Sequence, residues 1–276
     1  MEFSKYEATA NDFIMLDRMS GGPLITPGEV RLLCDRRTGI GADGVIEMLP
    51  SVPCDIRMRI SNADGSEAQM CGNGTRALFL FALDRGITNA SEISVQTPAG
   101  TRTVKRSGND GAAIFTVGMG LPAWSRSRIP MLGAGDDEAI RVPVLIEGDV
   151  AVEATCVSMG NPHCVVFTEK IEMLDISAIG PAIETNALFP ERTNVEFVNV
   201  VNEANLEVRV WERGVGETMA CGTGACASVV AASLLGLAGR QATAHLKGGA
   251  LEVQWRKEGV FLSSPARHVF DGKTVG

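Results

Sequence analysis

The chain has 276 residues, 45% of them hydrophobic, which is enough for about two domains of the usual ~150 residues with a core in each. Twenty-five basic against thirty-three acidic side chains leave a net charge of -8, which repels a phosphate backbone and excludes nucleic acid as the main partner. The start, MEFSKYEATANDF, lacks a long apolar run, and the most apolar later stretch, 225–239, is shorter than the ~20 residues that span a bilayer, so a cytoplasmic protein with no membrane partner is expected.

In chain order, strands are expected at 13–16, 55–60, 93–97, 114–117, 164–167, 195–200, 206–211, 242–246 and 260–263. The segments 55–60 and 206–211 alternate polar and apolar residues, as half-buried strands do. Each runs up to a thiol motif: MCGNGTRALFLF at 70–81 and ACGTGACASVV at 220–230. The runs behind the motifs, 77–83 and 229–235, have helical length and no polar face, so each helix must be enclosed on all sides.

The two motifs lie 150 residues apart, and the same offset superposes Glu67 on Glu217, Gly72 and Gly74 on Gly222 and Gly224, Ala77 on Ala227, and Asn11 on Asn161. Downstream the register slips by one, with Pro98-Ala99-Gly100 lying over Lys247-Gly248-Gly249. Agreement at separated places points to an internal duplication. The expected fold is α+β, with two pseudo-symmetric lobes, each a mostly antiparallel sheet wrapped around a buried central helix, and the active site in the cleft between them. The N-terminal lobe is placed at 1–120, joined by the last strand at about 265–276, and the C-terminal lobe at 121–264, with the Gly/Asp-rich stretch 131–139 in the joining segment.

Seven cysteines, an odd number with no framework spacing, suit a reducing compartment. With no CxxC pair and three scattered histidines, no metal site is expected. Cys34, Cys54, Cys156, Cys164 and Cys226 read as small buried hydrophobes. Cys71 and Cys221 differ, because each opens a helix behind glycines. The first-turn N–H groups and the helix dipole favour a carboxylate or phosphate there, and the same field is expected to lower the thiol pKa. Two related thiols, one ionised and one not, suit a reaction that inverts a carbon centre: one takes a proton and the other returns one to the opposite face. No pyridoxal site is evident, so a cofactor-free reaction is expected.

These residues resemble the diaminopimelate epimerase family over nearly the whole chain. The resemblance is carried by ANDF, RRTGIGADGV (36–45), SNADGSEAQMCGNGTR (61–76), GNPHCV (160–165), RTNVEFV (192–198), WERGVGETMACGTGA (211–225) and PARHVFDG (265–272). It implies a pyridoxal-independent isomerase, a homodimer, that interconverts LL- and meso-2,6-diaminopimelate with two thiols in lysine and peptidoglycan precursor synthesis. It further implies that Cys221 is the base toward the LL isomer and Cys71 the acid, that Gly72-Asn73 and Gly222-Thr223 hold the reacting carboxylate, and that His163 and Glu212 position the substrate ammonium and the thiols. Asn11, Asn62, Asn161, Asn194 and Arg213 are implied to bind the other polar groups of the substrate. The family usually has glycines ahead of NDF, where this chain has Ala8-Thr9-Ala10; a residue with a Cβ takes positive φ only under strain, so a local departure is expected there. Three other readings stand beside this one: a proline or hydroxyproline racemase-type enzyme, a hydrolase or transferase in which a single cysteine attacks carbonyl carbon with His163 as base, and a duplicated binding module without turnover whose thiols only line an anion site.

Overall fold

Each of the two thiol motifs opens a helix, and in each case strands pack around that helix. The computed structural model describes residues 1–68, 71–108, 113–134, 137–147 and 150–275. Met70 of the first motif, Gln69 before it, and residues 135–136 of the expected joining segment lie outside the described residues. The chain divides into two compact units, Met1–Gly118 with Ser263–Gly276, and Met119–Leu262.

In the first unit, β1 (Glu2–Ala8) and β2 (Asn11–Asp17) form a hairpin, followed by α1 (Pro27–Cys34), β3 (Gly44–Leu49), β4 (Ile56–Asn62) and the short β5 (Glu67–Ala68). Helix α2 (Gly72–Asp84) follows, then β6 (Glu92–Thr97), β7 (Gly100–Ser107) and β8 (Ile114–Gly120). Most pairings are antiparallel; β2–β3 and β4–β6 are parallel. Helix α1 was not legible from periodicity. Its signal is local: Thr26 caps it in a reciprocal pair with Glu29, and Pro27 supplies the first helical φ.

The second unit repeats the scheme. After β9 (Val142–Glu147) come β10 (Val150–Ser158), β11 (Pro162–Phe167), α3 (Ile176–Glu184), β12 (Asn194–Asn202), β13 (Asn205–Glu212), β14 (Gly216–Thr218) and α4 (Gly222–Leu234). Strands β15 (Gln241–Leu246), β16 (Gly249–Arg256) and β17 (Gly259–Pro265) follow; β18 (Arg267–Lys273) belongs to the first unit, where it pairs antiparallel with β1.

The duplication is visible at the level of single residues. Phe13 pairs with Gly44 in a parallel ladder, and His163 pairs with Asn194 in another. Ile60 faces Ala68, and Val210 faces Thr218. Arg59 donates from Nε to Glu67, and Arg209 donates from Nε to Glu217. All of these keep the 150-residue offset, whereas β6–β7 and β15–β16 differ by 149, so the expected slip of one residue falls after the helices.

Helices α2 and α4 are enclosed because neither has a polar face to offer water. Helix α2 packs on β1, β2 and β18, and α4 on β10, β12 and β16. Phe79 and Phe81 in α2 are at most 1% exposed, and burial of each contributes roughly 1.5–3 kcal/mol. The enclosure of α2 also takes in one cation, because Arg76 is fully buried on that helix. Cys34, Cys156, Cys164 and Cys226 are buried as expected. Cys54 is not: it lies half-buried at the edge of β4, with its sulfur 3.4 Å from the Thr101 hydroxyl.

Candidate active site

The two thiols occupy the same backbone position. Cys71 (φ -140°, ψ 115°) and Cys221 (φ -130°, ψ 114°) are extended residues immediately before a helix, each acting as the N-cap. The Gly74 N–H donates to Cys71 Sγ at 3.3 Å, and the Gly224 N–H donates to Cys221 Sγ at 3.4 Å. The cysteine carbonyls accept the next bonds, from Thr75 and Ala225. Sulfur thus takes the place usually held by a serine or aspartate oxygen. The glycines have an internal reason to be there. A Cβ at Gly74 would lie 2.8 Å from Ile46 Cδ1, and one at Gly224 would lie 2.6 Å from a carboxylate oxygen of Glu196.

In the first unit the structure joins Cys71, Asn73 and Asn11 into one neighbourhood. Asn73, buried in the first turn of α2, donates from Nδ2 to Asn11 Oδ1 and accepts from Arg76 at 2.9 Å. Arg76 also donates to the Thr9 hydroxyl at 2.9 Å. Asn11 donates to Asp43 at 3.2 Å. Gly72 is buried in the first turn. Asn62 ends β4, exposed, and donates to Ser66 at 3.0 Å; no hydrogen bond ties it to the Cys71 group among the described residues.

The departure expected ahead of Asn11 takes a different form. Ala8 pairs with Asn11, so Thr9-Ala10 is a two-residue hairpin loop, and both residues lie in the left-handed region at φ 52° and 58°. That is the pattern of a turn normally built with Asn-Gly. The backbone conformation glycine would adopt is therefore kept without glycine, under strain. The Arg76 bond and a 3.3 Å contact between the Thr9 and Ser264 hydroxyls hold Thr9 in place.

The second unit gathers more of the expected residues. Cys221 Sγ lies 3.4 Å from the Thr223 hydroxyl, and Asn161 donates from Nδ2 to that hydroxyl at 3.3 Å. Asn161 Oδ1 is 3.1 Å from His163 Nε2, and His163 Nδ1 is 2.7 Å from Glu196 Oε1. Gly222 opens the turn of α4 beside them. Glu212, at the end of β13, accepts from the Thr218 hydroxyl at 2.6 Å. Asn194 is buried, donates to the Pro162 carbonyl at 2.8 Å and accepts from the Arg213 N–H at 3.0 Å. The Arg213 side chain is exposed and donates from Nη1 to the Glu191 carbonyl at 2.9 Å.

The electrostatics overturn one expectation. Burial pushes the Cys221 thiol well above its ordinary pKa, and the nearby Glu212 and Glu196 carboxylates push it further. The Thr223 hydroxyl and Gly224 N–H lower it, but they are outweighed. The helix terminus therefore does not make Cys221 a resting thiolate, because loss of water and two carboxylates oppose the cap bond and the Thr223 hydroxyl. Burial also raises Glu212, against the lowering effect of its bonds with Thr218 and Cys221. A neutral thiol beside a carboxylate of raised basicity is an arrangement in which a proton can pass between sulfur and oxygen.

Sequence reasoning missed Glu196, Thr218, Thr9 and Arg76. Glu196 had a legible signal, as the one charge within the fully buried run 194–198. The other three act through side-chain bonds that no spacing announces. Among the described residues, no group of three or more His, Cys, Asp or Glu could hold a metal ion. No described helix is long and apolar enough to cross a membrane.

Comparison with known proteins adds an independent line. The family model described as diaminopimelate epimerase matches residues 3–124 and 155–269. A protein of Nostoc sp. named diaminopimelate epimerase 1 is 48% identical over 280 residues, covering 99% of each chain. The diaminopimelate epimerase of Moorella thermoacetica is 44% identical over 278 residues, covering 99% of this chain and 98% of that one. Among solved structures, a probable proline racemase from Agrobacterium radiobacter with bound carbonate superposes with a TM-score of 0.73 at 12% identity, over 99% of this chain and 92% of that one. A PhzF-family phenazine biosynthesis protein from Bacillus anthracis gives 0.71 at 15% identity, over 100% and 99%. At such low identity these two structures speak to the fold alone.

Proposed function

The chain belongs to the diaminopimelate epimerase family, a group of pyridoxal-independent isomerases of lysine biosynthesis, and on that premise we propose that Cys71 and Cys221 are its two proton carriers. The supporting observation is their equivalence: each sulfur caps the first turn of a buried helix and accepts from the third residue of that turn.

The α-proton of an amino acid is very weakly acidic, so its removal needs donors aimed at the carboxylate as that group becomes enolate-like. Backbone N–H groups of Gly72-Asn73 and Gly222-Thr223, in the first turns of α2 and α4, are suited to this. Toward the LL isomer, Cys221 takes the α-proton and Cys71 delivers one to the opposite face; the roles exchange in reverse. Because Cys221 rests as a thiol, its own proton must leave first, and the Glu212 carboxylate is the acceptor beside it. His163 orients this group through Asn161 and Thr223. Asn11, Asn62, Asn161, Asn194 and Arg213 bind the remaining polar groups of the substrate. The Arg213 guanidinium, exposed and held at one nitrogen by the Glu191 carbonyl, presents further N–H donors to a carboxylate. The cytoplasmic enzyme is a homodimer, a reading supported by the exposed Val269 and Phe270 on β18.

Incubation with LL-diaminopimelate in deuterium oxide tests the assignment. Deuterium should enter one α-carbon with inversion, and Cys71→Ala and Cys221→Ala should each abolish turnover. Full epimerisation by either variant would defeat the two-thiol reading, and faster turnover of L-proline would move the chain to another substrate.

A further inference from the structure

Glu196 is fully buried, yet it stands in a run of apolar residues on β12 where the surrounding sheet offers it little. One oxygen, Oε1, is 2.7 Å from His163 Nδ1. The other, Oε2, has no hydrogen-bond partner among the described residues. A buried carboxylate satisfied on one side only costs stability, and an apolar residue of similar size would serve the core better. A charge placed at that cost calls for a role outside packing.

The surroundings of the carboxylate supply that role. The first turn of α4 makes room for it, since any Cβ at Gly224 would meet Oε1 at 2.6 Å. From the carboxylate a single line of contacts runs to the thiol. Glu196 holds His163 Nδ1; His163 Nε2 meets Asn161 Oδ1 at 3.1 Å; Asn161 Nδ2 donates to Thr223 Oγ1 at 3.3 Å; and Thr223 Oγ1 lies 3.4 Å from Cys221 Sγ. The order is directional. The carboxylate and the Asn161 carbonyl oxygen can both only accept, so Nδ1 and Nε2 each carry a proton, the one on Nδ1 held by Glu196 and the one on Nε2 by Asn161. The Asn161 amide then presents Oδ1 to the ring and its NH2 to the Thr223 hydroxyl.

We propose that Glu196 is a positioning residue, which fixes His163 with a proton on Nδ1 and thereby, through Asn161 and Thr223, sets the hydrogen bonding of the Cys221 thiol. Glu196 touches no reacting atom and acts through its neighbours. The inference rests on the assignment of Cys221 as a proton carrier, and its test separates the two ideas because the state of the His163 ring is readable whether or not Cys221 is catalytic.

Only three histidines are present, so 15N NMR of the ring nitrogens can follow His163 in the intact protein. The native protein should show Nδ1 protonated, and Glu196→Ala should lose that proton. In steady-state assays Glu196→Ala should lower kcat by about 10–100-fold with KM within about twofold, the scale seen when a group that orients another is removed. Glu196→Gln keeps an acceptor in the same place and should recover the Nδ1 proton and most of kcat. In a His163→Asn background, adding Glu196→Ala should cost less than about twofold, since the partner through which it acts is gone. An unchanged His163 ring in Glu196→Ala would overturn the proposal, as would equal losses in the Ala and Gln variants, or costs that multiply in the double variant. If Glu196→Ala does not fold, the Gln variant decides: loss of the Nδ1 proton in folded Glu196→Gln overturns it.

Discussion

Thr218 donates a 2.6 Å hydrogen bond to Glu212, the carboxylate whose charge holds a proton on the Cys221 thiol. Burial, then Glu212, then Glu196 raise the thiol pKa, so Cys221 should be slow to react with iodoacetamide near neutral pH and should react only as the solution becomes alkaline. Glu212→Gln removes one of the raising charges. Its alkylation profile at Cys221, read by peptide mass, should therefore move to lower pH, while turnover falls by at least ~100-fold for want of a proton acceptor. A profile moving to higher pH would contradict this account. The sign carries over to stability: a raised thiol stabilises the fold fully below its unfolded value of ~8.5 and loses that contribution as pH climbs toward the folded value.

Asp12 titrates in the opposite sense. Burial raises its carboxyl, but the bonds from Arg36 and Lys5 outweigh burial and hold it well below the usual range. Lys5 Nζ is 2.8 Å from Asp12 and only 7% exposed, and Arg36 is 2.7 Å away. A depressed carboxyl contributes stability that is present above ~3.9 and lost as pH falls through the folded value. Urea unfolding should show that acid dependence shrinking in Asp12→Asn. The variant should also lose about 3 kcal/mol at neutral pH, because Lys5 is left buried beside a neutral partner.

Ala10 sits at φ 58° in the hairpin that delivers Asn11. Glycine reaches this region without the penalty a Cβ brings, which is roughly 1–2 kcal/mol. Ala10→Gly should therefore raise stability by about 1 kcal/mol in chemical denaturation, after allowance for the looser unfolded chain. A destabilised variant would mean that the turn is not strained. Thr9 is a poorer choice for the same change, since its hydroxyl holds Arg76.

Gly74 and Gly224 are equivalent in sequence and unequal in tolerance. A new methyl at Gly74 meets the end of the Ile46 side chain at 2.8 Å, and Ile46 can yield. One at Gly224 meets Glu196 Oε1, which yields only by giving up His163. Gly74→Ala should cost about 1–3 kcal/mol of stability, the usual penalty for overpacking. Gly224→Ala should in addition lower kcat by at least ~10-fold, which a side-by-side assay would show.

Much of this was legible in the residues. The 150-residue offset survives in the Arg59–Glu67 and Arg209–Glu217 bonds, because duplicated strands keep their register wherever one face is buried. The enclosed helices were legible because an all-round apolar run has few other places to go. The state of Cys221 was not. A motif shows that a thiol begins a helix, whereas its protonation depends first on how deeply the fold buries it, then on Glu212, which arrives from β13, and Glu196, which arrives from β12. Arg76 was hidden for a similar reason: its burial depends on Thr9 and Asn73, brought to it by the hairpin and by its own helix turn. Short elements such as α1 were passed over because capping carries more of their signal than periodicity does.

The sulfurs of Cys71 and Cys221 each serve as an acceptor for a helix N–H, so any electrophile that bonds to one of them places its bulk against the very turn that the sulfur caps. If the sulfurs carry the proton as proposed, a covalent inhibitor would do two kinds of harm with one adduct: it would occupy the proton carrier and disturb the first turn of the helix behind it.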